Sequence, residues 1–382
     1  MKLSENAQLA LDTISQKSTK GIPSWLIHPM EHRIIDRLAG VPEGSYVRNP
    51  EEVYLKMQRN VGSCLLDQYL ATNPLDMGAH GYDDKRPKTA TTGLEHIVLD
   101  GIAIDSPEAV VEHMEKISLP KAEKNLANLR ADLPANQETW GKATLESERK
   151  LQAQIGPGML KSGYGFIGFP RLAYNAYGYE NYFMAYALYP DVIERDFALQ
   201  ADYWELKNQA TARIYEQNLL PPLNRLDFDM ADSRGTLVDI KSLDKIWFPH
   251  FARALSPLLK TPLKMIWHCD GNLSQMVPRL IEVGISGFQG FQYEDGMDYE
   301  RICRMKTRAG NSVIIIAGVS VTRTLPFGKP EDVQAQIKWL VEKGPKTGLF
   351  IGGSSSIAPG VPWENMQTLV EGLKYYRQHG RA

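Results

Sequence analysis

The chain has 382 residues, of which 43% are hydrophobic and 23% charged, and its formal net charge is −2. That length supports a large core, and the near-neutral balance gives no reason to expect nucleic acid or an anionic membrane surface as a partner. No apolar run reaches the roughly 18 residues of a spanning helix. The polar start MKLSENAQLALDTISQKSTK has no apolar signal core, and the three scattered cysteines, Cys64, Cys269 and Cys303, offer no disulfide framework. A cytoplasmic protein is expected.

Residues 3 to 17 and 49 to 60 have helical periodicity, the second with Pro50 just inside its start. Asn73 to Thr92 is rich in Gly, Pro, Asp and Lys, without periodicity, and reads as a long loop of the kind used as a lid or binding segment. His80, Glu95 and His96 could reach a site from there or lie on solvated surface. Ser106-Pro107 is a helix start, with the serine as cap and the proline in the first turn. The polar stretch 121 to 147 reads as exposed helix and loop.

Residues 156 to 189, GPGMLKSGYGFIGFPRLAYNAYGYENYFMAYALY, place many aromatics among glycines. Such segments can wall a planar or apolar ligand. Tyr164 and Phe166, which sit between glycines, read equally as ligand wall or as packing. Tyr182, Phe183 and Tyr186 read as core contacts of a helix.

From about residue 220 strands and helices alternate. Strands are expected at 224 to 229, 263 to 268, 285 to 291, 311 to 316 and 348 to 351. Helices are expected at 242 to 260, 273 to 283, 298 to 308, 330 to 343 and 363 to 379. This alternation predicts an α/β protein with a parallel sheet. The repeat and the length favour a (β/α)8 TIM barrel over an open sheet. The whole chain, 1–382, would then be one domain: an N-terminal helical extension and loop over 1–120, and the barrel core over 150–380. No G-x-G-x-x-G follows a first strand and no Walker A motif is present.

In such barrels the site lies where the strands end. Three successive strands end in Asp227, Asp229 and Asp232; in His268, Cys269 and Asp270; and in Gln289, Gln292 and Glu294. Carboxylates beside an imidazole can bind a divalent metal or act as an acid/base set. Asp229, His268, Asp270 and Glu294 are therefore the candidate catalytic residues, with His268, Asp270 and Glu294 as candidate metal ligands. Three of the four also have a plain structural alternative: Asp229 as a cap, His268 as a core histidine, Glu294 as part of a charged loop. Cys269, next to His268 on a strand, points to the opposite face and reads as a buried packing thiol. Asp67, Tyr164, Phe166, Tyr177, Arg323 and Ser355 are the candidate substrate-contacting residues.

At these positions the chain resembles the uroporphyrinogen decarboxylase and cobalamin-linked methyltransferase superfamily. The resemblance is carried by D-M-x-x-x-x-G-x-L at 229 to 237, H-x-D-G-N at 268 to 272 and I-E-x-G-I at 281 to 285. It continues with Q-x-E-x-G-M-D at 292 to 298, L-P-F-G-K-P-E-D-V at 325 to 333 and P-G-V-P-W-E-N at 359 to 365. It implies a TIM barrel with its site at the C-terminal face. The decarboxylase branch carries an R-Q-A-G-R motif, whereas the matching region here reads HRIIDRLAGVPEG, with only Arg33 and Arg37. That branch also has a histidine near the last strand, where this chain has Ser355. The methyltransferase branch holds zinc with H-x-C and a later cysteine; here Asp270 and Ser355 stand at the two cysteine positions.

The first reading the resemblance implies is a methyltransferase-like enzyme. It would act on a small methylated compound, with zinc held by oxygen ligands and a corrinoid carried by a partner protein. Tyr164 to Tyr177 would wall its site, and a homodimer is possible. A second reading is a decarboxylase, with Asp67, Asp229 or His268 as the acid and Arg33, Arg37 or Arg323 holding carboxylates. A third is a binding protein that kept the barrel and lost the chemistry.

Overall fold

The computed structural model describes residues 2–72 and 97–381. The expected loop from Asn73 to Thr92, with His80, Glu95 and His96, lies outside the described residues.

The architecture is mixed α/β around a six-stranded parallel sheet. In chain order the strands that matter are β1 (Leu65–Leu66), β2 (Leu160–Lys161), β3 (Gly163–Tyr164), β4 (Leu223–Asp227), β5 (Lys264–His268), β6 (Gly287–Gln289), β7 (Ile314–Val319) and β8 (Leu349–Gly353). The sheet runs β8-β7-β6-β5-β4-β3, so neighbours in sequence are neighbours in space across its second half. β1 and β2 form a separate parallel pair. Isolated parallel bridges join Ser24 to Ile351 and Trp25 to Leu65.

The helices between the strands form where periodicity and caps agree. Helix Val277–Val283 opens with Pro278 in its first turn and stops at Gly284, whose φ of 120° few side chains tolerate. Asp239 caps helix Ile240–Ile246 by accepting the backbone N–H groups of Lys241 and Ser242. The polar stretch expected as helix and loop is instead two helices, Leu119–Ala131 and Leu133–Ile155, broken at Asp132. The helix Pro190–Glu216 packs against the second of them and against Phe248–Leu255.

Successive residues of a strand face opposite sides. Leu226, Trp267, Phe288 and Ile315 point into the larger cluster under the helices, where Trp267 meets Phe169, Trp247 and Phe251. Leu223, Ile266, Ile314, Ile316 and Phe350 belong to a second cluster, with Leu65, Leu160 and Ala7, Ala10 and Ile14 of helix Glu5–Ile14. By the same alternation, Arg225, Asp227 and His268 share a face with Leu223 and Ile266, nearer the C-terminal ends of the strands. Burial on both faces accounts for the continuous Val/Ile/Leu runs.

Candidate active site

Strand register builds the centre of the site. Asp227 pairs with His268, and His268 with Gln289, so three polar side chains lie side by side across β4, β5 and β6. One step earlier, Tyr164 of β3 pairs with Arg225 of β4.

Arg225 is the organising residue. Its side chain is 2% exposed. Its Nε donates to Asp67 Oδ2 at 2.6 Å, and its two terminal nitrogens donate to Asp227 Oδ2 at 2.8 Å and Gln68 Oε1 at 3.0 Å. The Tyr164 ring lies 4.7 Å from the guanidinium carbon, and the Tyr164 hydroxyl donates to Asp227 at 2.9 Å. Trp25 Nε1 donates to the other oxygen of Asp67 at 3.0 Å. A buried guanidinium needs this many partners, because each unpaired charge taken out of water costs several kcal/mol. Burial works against ionising Asp227, but His268 and Arg225 outweigh it and hold that carboxyl below the usual range.

His28 sits in the field of Arg225. Burial pushes its imidazole down to about 4, with the guanidinium adding to the effect.

His268 is bound differently. It is 7% exposed. Its Nδ1 is buried without a hydrogen-bond partner, against Gly290, where a Cβ would stand 2.7 Å from that nitrogen. Its Nε2 lies 3.9 Å from Asp227 Oδ1 and 3.9 Å from Asp270 Oδ1, too far for a hydrogen bond. Asp229 completes the group: one ligand atom each from Asp229, His268 and Asp270 lie within 4.8 Å of one another. Asp229 is also tied to the loop, since its Oδ1 accepts the Asp270 N–H at 2.8 Å. Burial pushes the Asp270 carboxyl up, as do Asp229 and Asp227, while His268 pulls it down.

The loop after β5 is shaped by Gly271. Its φ is 89°, and a Cβ there would meet the Asp232 carbonyl oxygen at 2.7 Å. Its N–H donates to Gln292 Oε1 at 2.6 Å, and Asn272 N–H donates to the Asp232 carbonyl at 2.7 Å. The loop is thus pressed against the hairpin formed by Ala231–Asp232 and Gly235–Thr236, and that contact presents Asp270 beside Asp229. Cys269 faces away: its thiol is buried in the apolar cluster and accepts the Met230 N–H at 3.2 Å.

The other expected residues scatter. Glu294 is half-buried and accepts hydroxyl hydrogens from Ser320, at 2.6 Å, and from Thr322. The metal-type group therefore contains Asp229 and not Glu294. Asp67 and Tyr164 belong to the Arg225 network. Phe166 is buried and stacks on Tyr215. Tyr177 is buried and hydrogen-bonded to His113 at 2.9 Å. Packing accounts for both rings. Arg323 is exposed, and Ser355 follows β8 half-buried. Sequence reasoning passed over Arg225, Gln68 and His28, and named Gln289 only as one of the polar residues at a strand end. The signal was present only as register: Arg225 is two residues before Asp227, hence on its face.

A cleft of about 770 Å³ adjoins the group, lined among others by Tyr179, Phe183, Asp229, Asp270, Gly271 and Gln292. Another cavity, of about 410 Å³, lies at the opposite ends of the strands, around Lys264, Ser286 and Ser312, away from this chemistry. The donor set of one imidazole and two carboxylates fits a divalent ion, and among the described residues the imidazole is buried with no hydrogen bond that would compete with such an ion.

Residues 228–376 match the family described as uroporphyrinogen decarboxylase (URO-D). No curated protein matches the chain in sequence. Among solved structures, a methyltransferase from Methanosarcina mazei has a TM-score of 0.57 at 15% identity, over 97% of this chain and 98% of that one. At that identity the likeness is one of fold.

Proposed function

Taking this chain as a divergent member of the uroporphyrinogen decarboxylase/methyltransferase superfamily, we propose that it transfers a methyl group between a small substrate and a corrinoid carried by a separate protein. The parallel bridges from β8 through Ser24 and Trp25 to β1, and the run of β2 into β3 through Ser162, support a ring closed as a (β/α)8 barrel. On that reading the chain is a single domain, and the site occupies its C-terminal face.

The observation that carries the proposal is His268: more than nine-tenths buried, with Nδ1 unpartnered and Nε2 beside carboxylates it does not bond. His268, Asp270 and Asp229 would hold the metal, and zinc suits the set. Bound there, zinc would supply Lewis acidity to a polar group of the substrate. The protein's own residues do the positioning. Arg225 fixes Asp227 beside His268 and keeps it ionised. The loop at Gly271 holds Asp270 in place. Glu294, gripped by Ser320 and Thr322, adds a carboxylate on the next strand end. Transfer of a methyl group needs in-line approach more than covalent help, so a site that orients is sufficient. The free, buried state of Cys64, Cys269 and Cys303 agrees with a reducing cytoplasm. Among the described residues no helix is long and apolar enough to cross a membrane.

Decarboxylation is less well supported. Its carbanion and its substrate carboxylates call for free cations. Arg225 is consumed by Asp67 and Asp227, Arg33 by Glu31 at 2.8 Å, and Arg37 lies 3.7 Å over the Trp363 ring, which leaves the exposed Arg323 as the one candidate cation without such a partner among the described residues.

Metal content by plasma mass spectrometry, on wild type and His268→Ala, is the test. Near-stoichiometric zinc in wild type, lost in the variant, is expected. Absence of zinc from both after supplementation, together with no methyl transfer to cob(I)alamin from O-, N- or S-methyl donors, would sink the proposal.

A further inference from the structure

The charge around the site is one-sided. Among the described residues four carboxylates, Asp67, Asp227, Asp229 and Asp270, surround a single buried guanidinium, that of Arg225. Even a divalent ion on the Asp229–His268–Asp270 group leaves this set anionic. The one arginine among the described residues that lines the adjoining cleft, Arg234, is 89% exposed and is neutralised by Asp232 at 2.6 Å. The cleft's unpaired charges, among the described residues, are therefore those of Asp229 and Asp270.

Aromatic rings complete the lining. Tyr179 and Phe183 both line the cleft and are half-buried. They pack on Tyr174, at centroid distances of 4.6 and 5.7 Å, whose hydroxyl donates to the Asp229 backbone carbonyl at 2.8 Å. The aromatic group is thereby anchored to the residue that supplies one of the carboxylates. The buried, unpartnered imidazole of His268, whose Nε2 points at the same carboxylates, independently marks the place as one built for a ligand. Aromatic rings beside carboxylates, in a volume of about 770 Å³, are the chemistry that recognises a quaternary cation: ring quadrupoles and fixed negative charge both attract it, and neither needs a hydrogen from it.

We propose that the cleft takes a small methylated onium cation, of the quaternary ammonium or sulfonium class, as the methyl donor; this rests on the methyl-transfer reading above. An onium centre is a poor metal ligand, since a quaternary nitrogen has no lone pair and the remaining pair of a sulfonium sulfur sits on a cationic atom, so it would lie on the Tyr179–Phe183 side. A polar substituent of the same molecule would be left for the Asp229–His268–Asp270 side. Transfer then breaks one C–N or C–S bond. Its electron pair leaves with the heteroatom as a neutral amine or sulfide, and the reduced corrinoid supplies the pair that forms the new bond. No proton is required, which suits a site where the buried donors Trp25, Tyr164 and Arg225 are already engaged with Asp67 and Asp227.

The test is calorimetric binding of choline against its neutral isostere 3,3-dimethylbutan-1-ol, on zinc-supplemented and metal-stripped protein. Wild type should bind choline at least tenfold more tightly than the alcohol. Tyr179→Leu and Phe183→Leu should each weaken choline by roughly twofold to thirtyfold, the range of one cation–ring contact, and leave the alcohol nearly unchanged. Asp229→Asn should weaken choline without touching the rings, which guards against a ring variant that fails to fold. Equal affinity for the two probes, binding of neither by wild type, or choline binding indifferent to all three substitutions would overturn the proposal. Failure of the metal reading shows separately: zinc absent, with ring-dependent choline binding retained.

Discussion

The floor of the site and its rim hold similar residue types under opposite conditions. On the floor, Asp67 and Asp227 are both bound by Arg225, and Gln68 and Tyr164 join the same network. At the rim, Asp270 and His268 face each other at 3.9 Å without bonding, and the other nitrogen of His268 has no partner. A buried polar network that is satisfied stiffens a structure; one left open is held ready for something that completes it. On the function proposed above, the difference makes the floor architecture and the rim the place for ligands.

Substitutions should separate the two regions by the size of their effect on stability. The largest is expected on the floor. Arg225→Met removes the cation that bridges Asp67 and Asp227 and should destabilise the protein by about 3–5 kcal/mol, the usual result of breaking a buried ion pair from one side, read from urea denaturation midpoints. A loss below about 1 kcal/mol would mean the floor is not locked by charge.

Next comes His28, whose folded value of about 4 lies below its ordinary 6.5. A depressed imidazole contributes stability above pH 6.5, and that contribution is lost as pH falls through 4. The loss amounts to about 3 kcal/mol. His28→Gln should flatten denaturation midpoints between pH 6.5 and 4. An unchanged acid limb in the variant would remove His28 from the floor's electrostatics.

The rim should respond less. Gly271→Ala puts a Cβ against the Asp232 carbonyl at positive φ and should cost about 1–3 kcal/mol, seen as a lower Tm, together with weaker zinc binding. Wild-type zinc affinity in that variant would show that the loop does not position Asp270. The smallest effect is reserved for His268→Gln in metal-free protein. The imidazole makes no hydrogen bond to lose, so stability should change by less than about 1 kcal/mol while zinc retention disappears. A large loss of stability would make His268 an ordinary core histidine and erase the contrast.

Much of the second half was legible because periodicity there has one cause. Strand 263 to 268 was read from the apolar run ending in His268, and the structure has Lys264–His268. Helices 330 to 343 and 363 to 379 coincide with Pro330–Lys343 and Trp363–His379. The first half hid its strands because they are two residues long, as at Leu65–Leu66, or single bridges, as at Trp25; two residues carry no period. Phe183, read as a core contact, packs against the core and also lines the cleft, while Phe166 and Tyr177, weighed as ligand walls, are packed inside. Composition cannot tell which face of an aromatic segment the fold will cover.

By itself the sequence determined the alternation of strands and helices, the turn at Gly271 and the delivery of His268 and Asp270 to one strand end. Those properties are local: they follow from side-chain period, caps and backbone freedom within a few residues. The tertiary structure decided which carboxylate joins them and which is spent elsewhere. Asp229 reaches the group because Gly271 lets the loop lie on the 231–236 hairpin; Glu294, equally acidic and equally near a strand end, is taken by Ser320 and Thr322. Arg225 became the centre of the floor only through register, which pairs residues distant in sequence by hydrogen bonds between strands. No local pattern encodes that pairing, because it is set by how whole strands align when their apolar faces are buried together.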